Sequence, residues 1–111
     1  MDIEKLKLEA QNKALHIADV SGSALFNADC MDILPLIPDK SVNLIVIDPP
    51  YFEVKGDFDF IFESEKQYLE FIESVIVESK RVLKQDGSLF LYCSQEMGAY
   101  IDLILRKYFI I

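Results

Sequence analysis

The chain has 111 residues, 51% of them hydrophobic, and a formal net charge of −8, which fits one globular domain burying roughly two-thirds of its unfolded surface and excludes a disordered tail. So acidic a segment is also excluded as the main phosphate-binding surface of a nucleic-acid-binding protein, because duplex affinity rests on Lys and Arg neutralising phosphates. No signal peptide opens the chain and no apolar stretch is long enough to cross a membrane, so a cytoplasmic, reducing setting is expected, with no membrane partner.

Taken in chain order, Ile3, Leu6, Ala10 and Ala14 recur at helical spacing amid charges and predict an amphipathic helix from residue 3 to about 15, with His16 a solvated residue at its end. Ser21-Gly22-Ser23 marks a turn. Residues 24–27 read as a strand, and residues 31–37 as a short helix ended by Pro38. Asp29 stands between them, suited to cap that helix. The apolar run Val42-Asn43-Leu44-Ile45-Val46-Ile47 predicts a buried strand. Residues 52–62 are polar and aromatic with one glycine, a loop long enough to be functional.

Residues 66–84 form the clearest helix, with Tyr68, Leu69, Ile72, Val75, Ile76, Ser79, Val82 and Leu83 at helical spacing. Lys80, Arg81 and Lys84 in its final turns suit the negative helix end, so the Lys80-Arg81 pair reads as a solvated terminus rather than a DNA contact; Gln85-Asp86-Gly87 supplies the stop. Residues 88–93 read as a strand carrying Cys93 as a small core residue, residues 95–107 as a helix with Met97, Ile101, Ile104 and Leu105 on one side, and residues 108–111 as a strand-like run. Cys30, Cys93 and the single His16 have no metal-ligand spacing, so no metal is expected. Strand, helix, strand, helix, strand in this order predicts parallel crossovers and an α/β fold.

The most informative residues are Asp48-Pro49-Pro50-Tyr51, directly after the 42–47 strand. The carboxyl end of a strand is where an open α/β sheet binds ligands. Proline fixes its own φ and holds the preceding residue extended, so the pair presents Asp48 and the following carbonyls rigidly, in a segment weighted toward accepting hydrogen bonds. That suits making an aromatic exocyclic amine nucleophilic: hydrogen bonds from the NH₂ to the Asp48 carboxylate and the Pro49 carbonyl favour a pyramidal nitrogen with its lone pair freed. Positioning and stabilisation of the developing positive charge then supply catalysis, and Tyr51 offers a flat face for a base swung out of its duplex. An ordinary turn after a strand remains the alternative.

Asn27-Ala28-Asp29-Cys30, the stretch from Leu34 through Asp48-Pro49-Pro50-Tyr51, and Arg81-Val82-Leu83-Lys84-Gln85-Asp86-Gly87-Ser88-Leu89-Phe90 together resemble the amino-terminal half of a DNA amino-methyltransferase. The likeness is to the class whose catalytic tetrapeptide precedes the cofactor-binding glycine loop, and it covers about residues 25–111. It implies methyl transfer from S-adenosylmethionine to N6 of adenine or N4 of cytosine, in a Rossmann-like sheet of mostly parallel strands with helices on both faces. Asp48, Pro49, Pro50 and Tyr51 would be catalytic, Asp29 and Cys30 would lie against the cofactor's adenine, and Tyr51, Phe58 and Phe60 would contact the base; for the two phenylalanines, pinning the loop to the core is the alternative. Double-stranded DNA would be the partner of the complete enzyme. Adenine is preferred because aspartate begins the motif, whereas many cytosine-N4 enzymes begin it with serine, and enzymes acting on protein glutamine or RNA usually begin it with asparagine.

The chain departs from the pattern in lacking a Phe-x-Gly-x-Gly loop, its glycines being Gly22, Gly56, Gly87 and Gly98. It is therefore read as a truncated piece, with residues 1–22 a helical extension and residues 23–111 part of the catalytic domain. Alone, it is expected to be inactive and to bind the cofactor very weakly, with a gap in its sheet between the 24–28 and 43–47 strands. A non-catalytic binding module is the alternative if the natural chain is this short.

Overall fold

The computed structural model describes residues 1–53 and 60–111, with the backbone alone at Asp19. Helix α1, Ile3–Glu9, starts where Asp2 accepts from the Lys5 N–H, and it buries Leu6. Strands β1, His16–Val20, and β2, Ser23–Asn27, pair antiparallel about Ser21-Gly22. Gly22 has φ +72°, the left-handed conformation that a two-residue hairpin loop needs and glycine adopts without strain. Helix α2, Cys30–Ile33, runs into a 3₁₀ turn at Leu34–Leu36 with Pro35 in its first turn.

Strand β3, Val42–Ile47, helix α3, Glu65–Val82, and strand β4, Leu83–Leu91, form a parallel crossover unit. Ser64 caps α3 by accepting from the Gln67 N–H, while the Gln67 side chain reaches back to accept from the Glu63 N–H, one residue before the cap. At the other end, the Arg81 and Val82 carbonyls, which lack intrahelical donors, accept from the Lys40 and Ser41 N–H groups. Helix α4, Gly98–Leu105, completes the core. Tyr68, Ile72 and Ile76 of α3 pack with Met97, Ile101 and Ile104, and Phe52, Phe62, Leu91 and Cys93 pack around them. Among the described residues the strands thus make two separate two-stranded sheets, with no ladder joining β2 to β3.

Several expectations change. The first helix stops at Glu9, and His16 is an exposed strand residue rather than a helix end: in an extended conformation Ile17 and Phe26 meet as cross-strand partners, which outweighs weak helical patterning. Strand β3 forms but is not buried on both faces, since Leu44 and Val46 are 54% and 61% exposed and their neighbour Phe90 is 61% exposed. Helix α3 ends at Val82, so Lys84 lies in β4, where the register jumps between the Val42/Leu83 and Leu44/Ser88 pairs. A Cβ on Gly87 would stand 2.8 Å from a Leu83 methyl and 3.0 Å from the Asn43 carbonyl, so the bulge closes only on glycine. Cys93 lies just past β4 and is half-buried, and residues 108–111 form no strand.

Arg81 is not a solvated terminus. Its guanidinium donates to the Leu34 and Ile37 carbonyls, both at 2.8 Å, and to Asp39 at 2.6 Å and Glu78 at 2.8 Å. Arginine's planar fork makes this possible: one side chain serves two carbonyls and two carboxylates at once. Lys80 lies 5.1 Å from the centre of the Phe109 ring.

Candidate active site

Where β3 ends, the parallel ladder makes one further bond, from the Tyr92 N–H to the Ile47 carbonyl at 2.9 Å. Asp48 follows immediately, exposed at the carboxyl end of the strand, with Pro49, Pro50 and Tyr51 half-buried behind it. The two prolines offer no N–H, so this turn is held through its acceptors. The Tyr68 hydroxyl donates to the Pro50 carbonyl at 2.9 Å, and the Tyr51 hydroxyl donates to Asp48 Oδ1 at 3.3 Å. Tyr68 itself is fully buried in the first turn of α3. The Phe62 ring meets the Tyr68 ring edge-on at 5.1 Å and 80°, and Phe52 lies 5.7 Å from it. Sequence reasoning placed Tyr68 on an apolar helix face and missed its bond to the turn. The available signal was a tyrosine among phenylalanines, since a buried phenol needs an acceptor.

Asp29 and Cys30 occupy the corresponding place after β2. Asp29 is exposed and caps α2, with Oδ1 accepting from the Met31 N–H at 2.9 Å. That leaves Oδ2 facing solvent, an acceptor of the kind a purine amino group requires. Cys30 is exposed as a residue, yet its thiol titrates above its ordinary value, first because neighbouring atoms desolvate it and next because Asp29 is negative. A thiol raised in this way stays protonated at neutral pH and is a poor nucleophile.

The structure gathers Asp48, Pro49, Pro50 and Tyr51 into one turn and puts Asp29 and Cys30 at the end of a strand in the other sheet. Phe60 is 57% exposed, and Phe58 lies outside the described residues. A shallow cavity of about 310 Å³ lined by Val46, Phe90, Leu91 and Tyr92 opens on the uncovered face of the parallel pair. Among the described residues, no cluster of His, Cys, Asp or Glu has metal-binding geometry, and no helix is long and apolar enough to cross a membrane.

Residues 42–110, from the first residue of β3 to beyond α4, match the family model described as DNA methylase. The DNA adenine methyltransferase YhdJ of Escherichia coli (strain K12) is 38% identical over 89 residues, covering 78% of this chain and 30% of that protein. The type II methyltransferases M.BamHI of Bacillus amyloliquefaciens and M.BglII of Bacillus subtilis are 33% and 36% identical, over 75% and 74% of the chain and 20% and 23% of their own lengths. The chain thus spans less than a third of each of these relatives. Since the family match takes in more than half of its residues and includes the strand, the turn and the crossover helix that builds the site, the chain belongs to the DNA methylase family of N6 and N4 methyltransferases.

Proposed function

We propose that this chain supplies the catalytic-turn part of a site-specific DNA methyltransferase that transfers a methyl group from S-adenosylmethionine to the exocyclic amine of a flipped base, adenine N6 in preference to cytosine N4. Residues 23–111 would form part of a Rossmann-like catalytic domain with a mostly parallel sheet, and residues 1–22 an extension on it. The observation carrying this reading is the exposed Asp48 at the end of a strand in a parallel pair, followed by two prolines that offer carbonyl acceptors and no N–H. One relative is named as an adenine methyltransferase, which favours the adenine reading.

The chemistry follows from the acceptors. The target amine carries two N–H bonds and a lone pair delocalised into its ring. With Pro50's carbonyl engaged by Tyr68, the acceptors left to the amine are the Asp48 carboxylate and the Pro49 carbonyl. Donating to both pulls the nitrogen toward pyramidal geometry and exposes its lone pair in line with an electrophilic carbon. Transfer would break the sulfur–methyl bond, whose electron pair stays on the departing neutral thioether, and leave the nitrogen cationic; Asp48 stabilises that charge until the excess proton passes to water. Tyr51 stacks on the base after its hydroxyl leaves Asp48, and exposed Phe60 would stand beside the base pocket. S-adenosylmethionine supplies the electrophilic methyl group when bound; Asp29 would accept from its adenine amine, with the neutral Cys30 thiol beside the ring. Double-stranded DNA would meet the complete enzyme mainly through parts other than this acidic segment.

The test is made on the complete protein with duplex DNA and methyl-labelled S-adenosylmethionine, followed by nucleoside analysis. N6-methyladenine is expected, and Asp48→Ala should abolish its formation while leaving cofactor affinity within a few-fold. N4-methylcytosine as the product would overturn the base preference. Undiminished turnover by Asp48→Ala would overturn the catalytic assignment.

A further inference from the structure

We infer that Tyr68 is a positioning residue of the methyl-transfer site: its buried hydroxyl holds the Pro50 carbonyl and so sets where the Asp48 and Pro49 acceptors point. The inference rests on the methyltransferase reading of that turn. An isolated turn of this composition is poorly anchored. Pro49 and Pro50 have fixed φ angles but no N–H groups, so neither donates to a neighbour, and the freedom left lies in the ψ angles that aim the carbonyls. The structure pins this freedom at both ends. Upstream, the Ile47 carbonyl accepts from the Tyr92 N–H at 2.9 Å. Downstream, the Pro50 carbonyl accepts from Tyr68 at 2.9 Å. Asp48 and Pro49 stand between the two fixed points.

Packing alone does not account for a tyrosine at this position. Its ring is 0% exposed and lies among Phe52, Phe62 and the core of α3 and α4. A phenylalanine would fill the same space at no desolvation cost; the hydroxyl has to find an acceptor in a buried place, and it finds the Pro50 carbonyl. The donor is itself rigidly placed. Tyr68 makes the first backbone bond of α3, to the Ser64 carbonyl at 3.0 Å, directly after Gln67, whose N–H the Ser64 side chain caps. The helix start is thereby coupled to the aim of the catalytic carbonyls.

The experiment uses the complete protein carrying Tyr68→Phe, with active sites counted by S-adenosylmethionine titration so that misfolded molecules do not enter the rate. Single-turnover methyl transfer should fall at least about tenfold per competent site, as small misplacements of reacting groups do, while the KM for cofactor stays within twofold. A structural role alone would reduce the number of competent sites and leave the rate per site unchanged, and that result would overturn the inference. If Tyr68→Phe yields no folded protein, 3,5-difluorotyrosine at position 68 keeps the ring and acidifies the hydroxyl, so raising the pH removes the donor; a single-turnover rate that follows the unmodified enzyme's pH profile throughout would then overturn it. Absence of methyl transfer by the unsubstituted protein would instead refute the methyltransferase reading itself.

Discussion

Replacing Arg81 with alanine should destabilise the chain by about 3–4 kcal/mol, and the structure lets that figure be assembled bond by bond. The guanidinium makes two 2.8 Å bonds to backbone carbonyls, at Leu34 and Ile37, from a side chain only 29% exposed. A hydrogen bond with one charged partner contributes roughly 1.5–3 kcal/mol, and these fall toward the lower end because water can reach the vacated carbonyls. The Asp39 pair, whose carboxylate is 74% exposed, adds well under about 1 kcal/mol, and the Glu78 pair on the same helix a few tenths. For a small domain whose whole stability is of order 5–15 kcal/mol, this loss is large. Urea unfolding of the 111-residue chain would measure it through the midpoint at constant slope. Arg81→Lys should recover less than half, because one ammonium cannot span two carbonyls and two carboxylates. A loss below about 1 kcal/mol, or full rescue by lysine, would refute this account of how the 34–39 segment is tied to α3.

Gly87→Ala should cost about 1–3 kcal/mol by the same unfolding measurement, since its Cβ would stand 2.8 Å from the Leu83 methyl and 3.0 Å from two backbone oxygens; a neutral result would mean that the bulge relaxes freely. Glu73 accepts from the Tyr108 hydroxyl at 2.8 Å and from Lys107 at 3.2 Å, which hold its carboxyl below the ordinary value of 4.5. A depressed carboxylate contributes stability above its unfolded value that is lost as pH falls through the folded one, so Glu73→Gln should flatten the decline in Tm below about pH 4.5; an unchanged acid limb would contradict this. Calorimetric titration of the chain by itself should show no saturable binding of S-adenosylmethionine at sub-millimolar concentration. Asp29 and the Asp48 turn offer few polar contacts against a rigid-body association cost of at least about 4 kcal/mol.

The elements that sequence reveals are those whose pattern is set by a single neighbour. Tyr68, Ile72, Val75 and Ile76 face one core, so their spacing announces α3, and a β-branched run stopped by two prolines announces β3 and its turn. The hairpin was hidden because His16-Ile17-Ala18-Asp19-Val20 is short and follows helical spacing from Ile3 to Ala14; only Gly22, with φ +72°, marked the reversal. The end of α3 was read late because Val82 and Leu83 are apolar in both helical and extended patterns, and the choice falls to the Lys40 and Ser41 N–H groups that cap the helix from outside. The role of Arg81 had no local signal, and that of Tyr68 only a chemical one, a tyrosine among phenylalanines. Their partners lie 44 and 18 residues away, at Ile37 and Pro50, and periodicity carries no information about a polar tip that leaves its own helix.

These two residues also show why α3 matters to the site beyond its share of the core. Among the described residues no ladder joins β2, which Asp29 follows, to β3, which Asp48 follows, so other contacts set the spacing between the two carboxylates. Tyr68, near the start of α3, holds the turn that presents Asp48, and Arg81, near its end, holds the segment running on from Asp29 through α2. Along a helix rising 1.5 Å per residue, these two grips are about 20 Å apart. A helix is stiff over that length because each residue is bonded to those four away, so α3 holds the two gripped segments at a fixed separation. A proline at exposed Val77, between the two grips and one turn from Arg81, would break the bond to the Glu73 carbonyl and should shift the two gripped segments relative to each other.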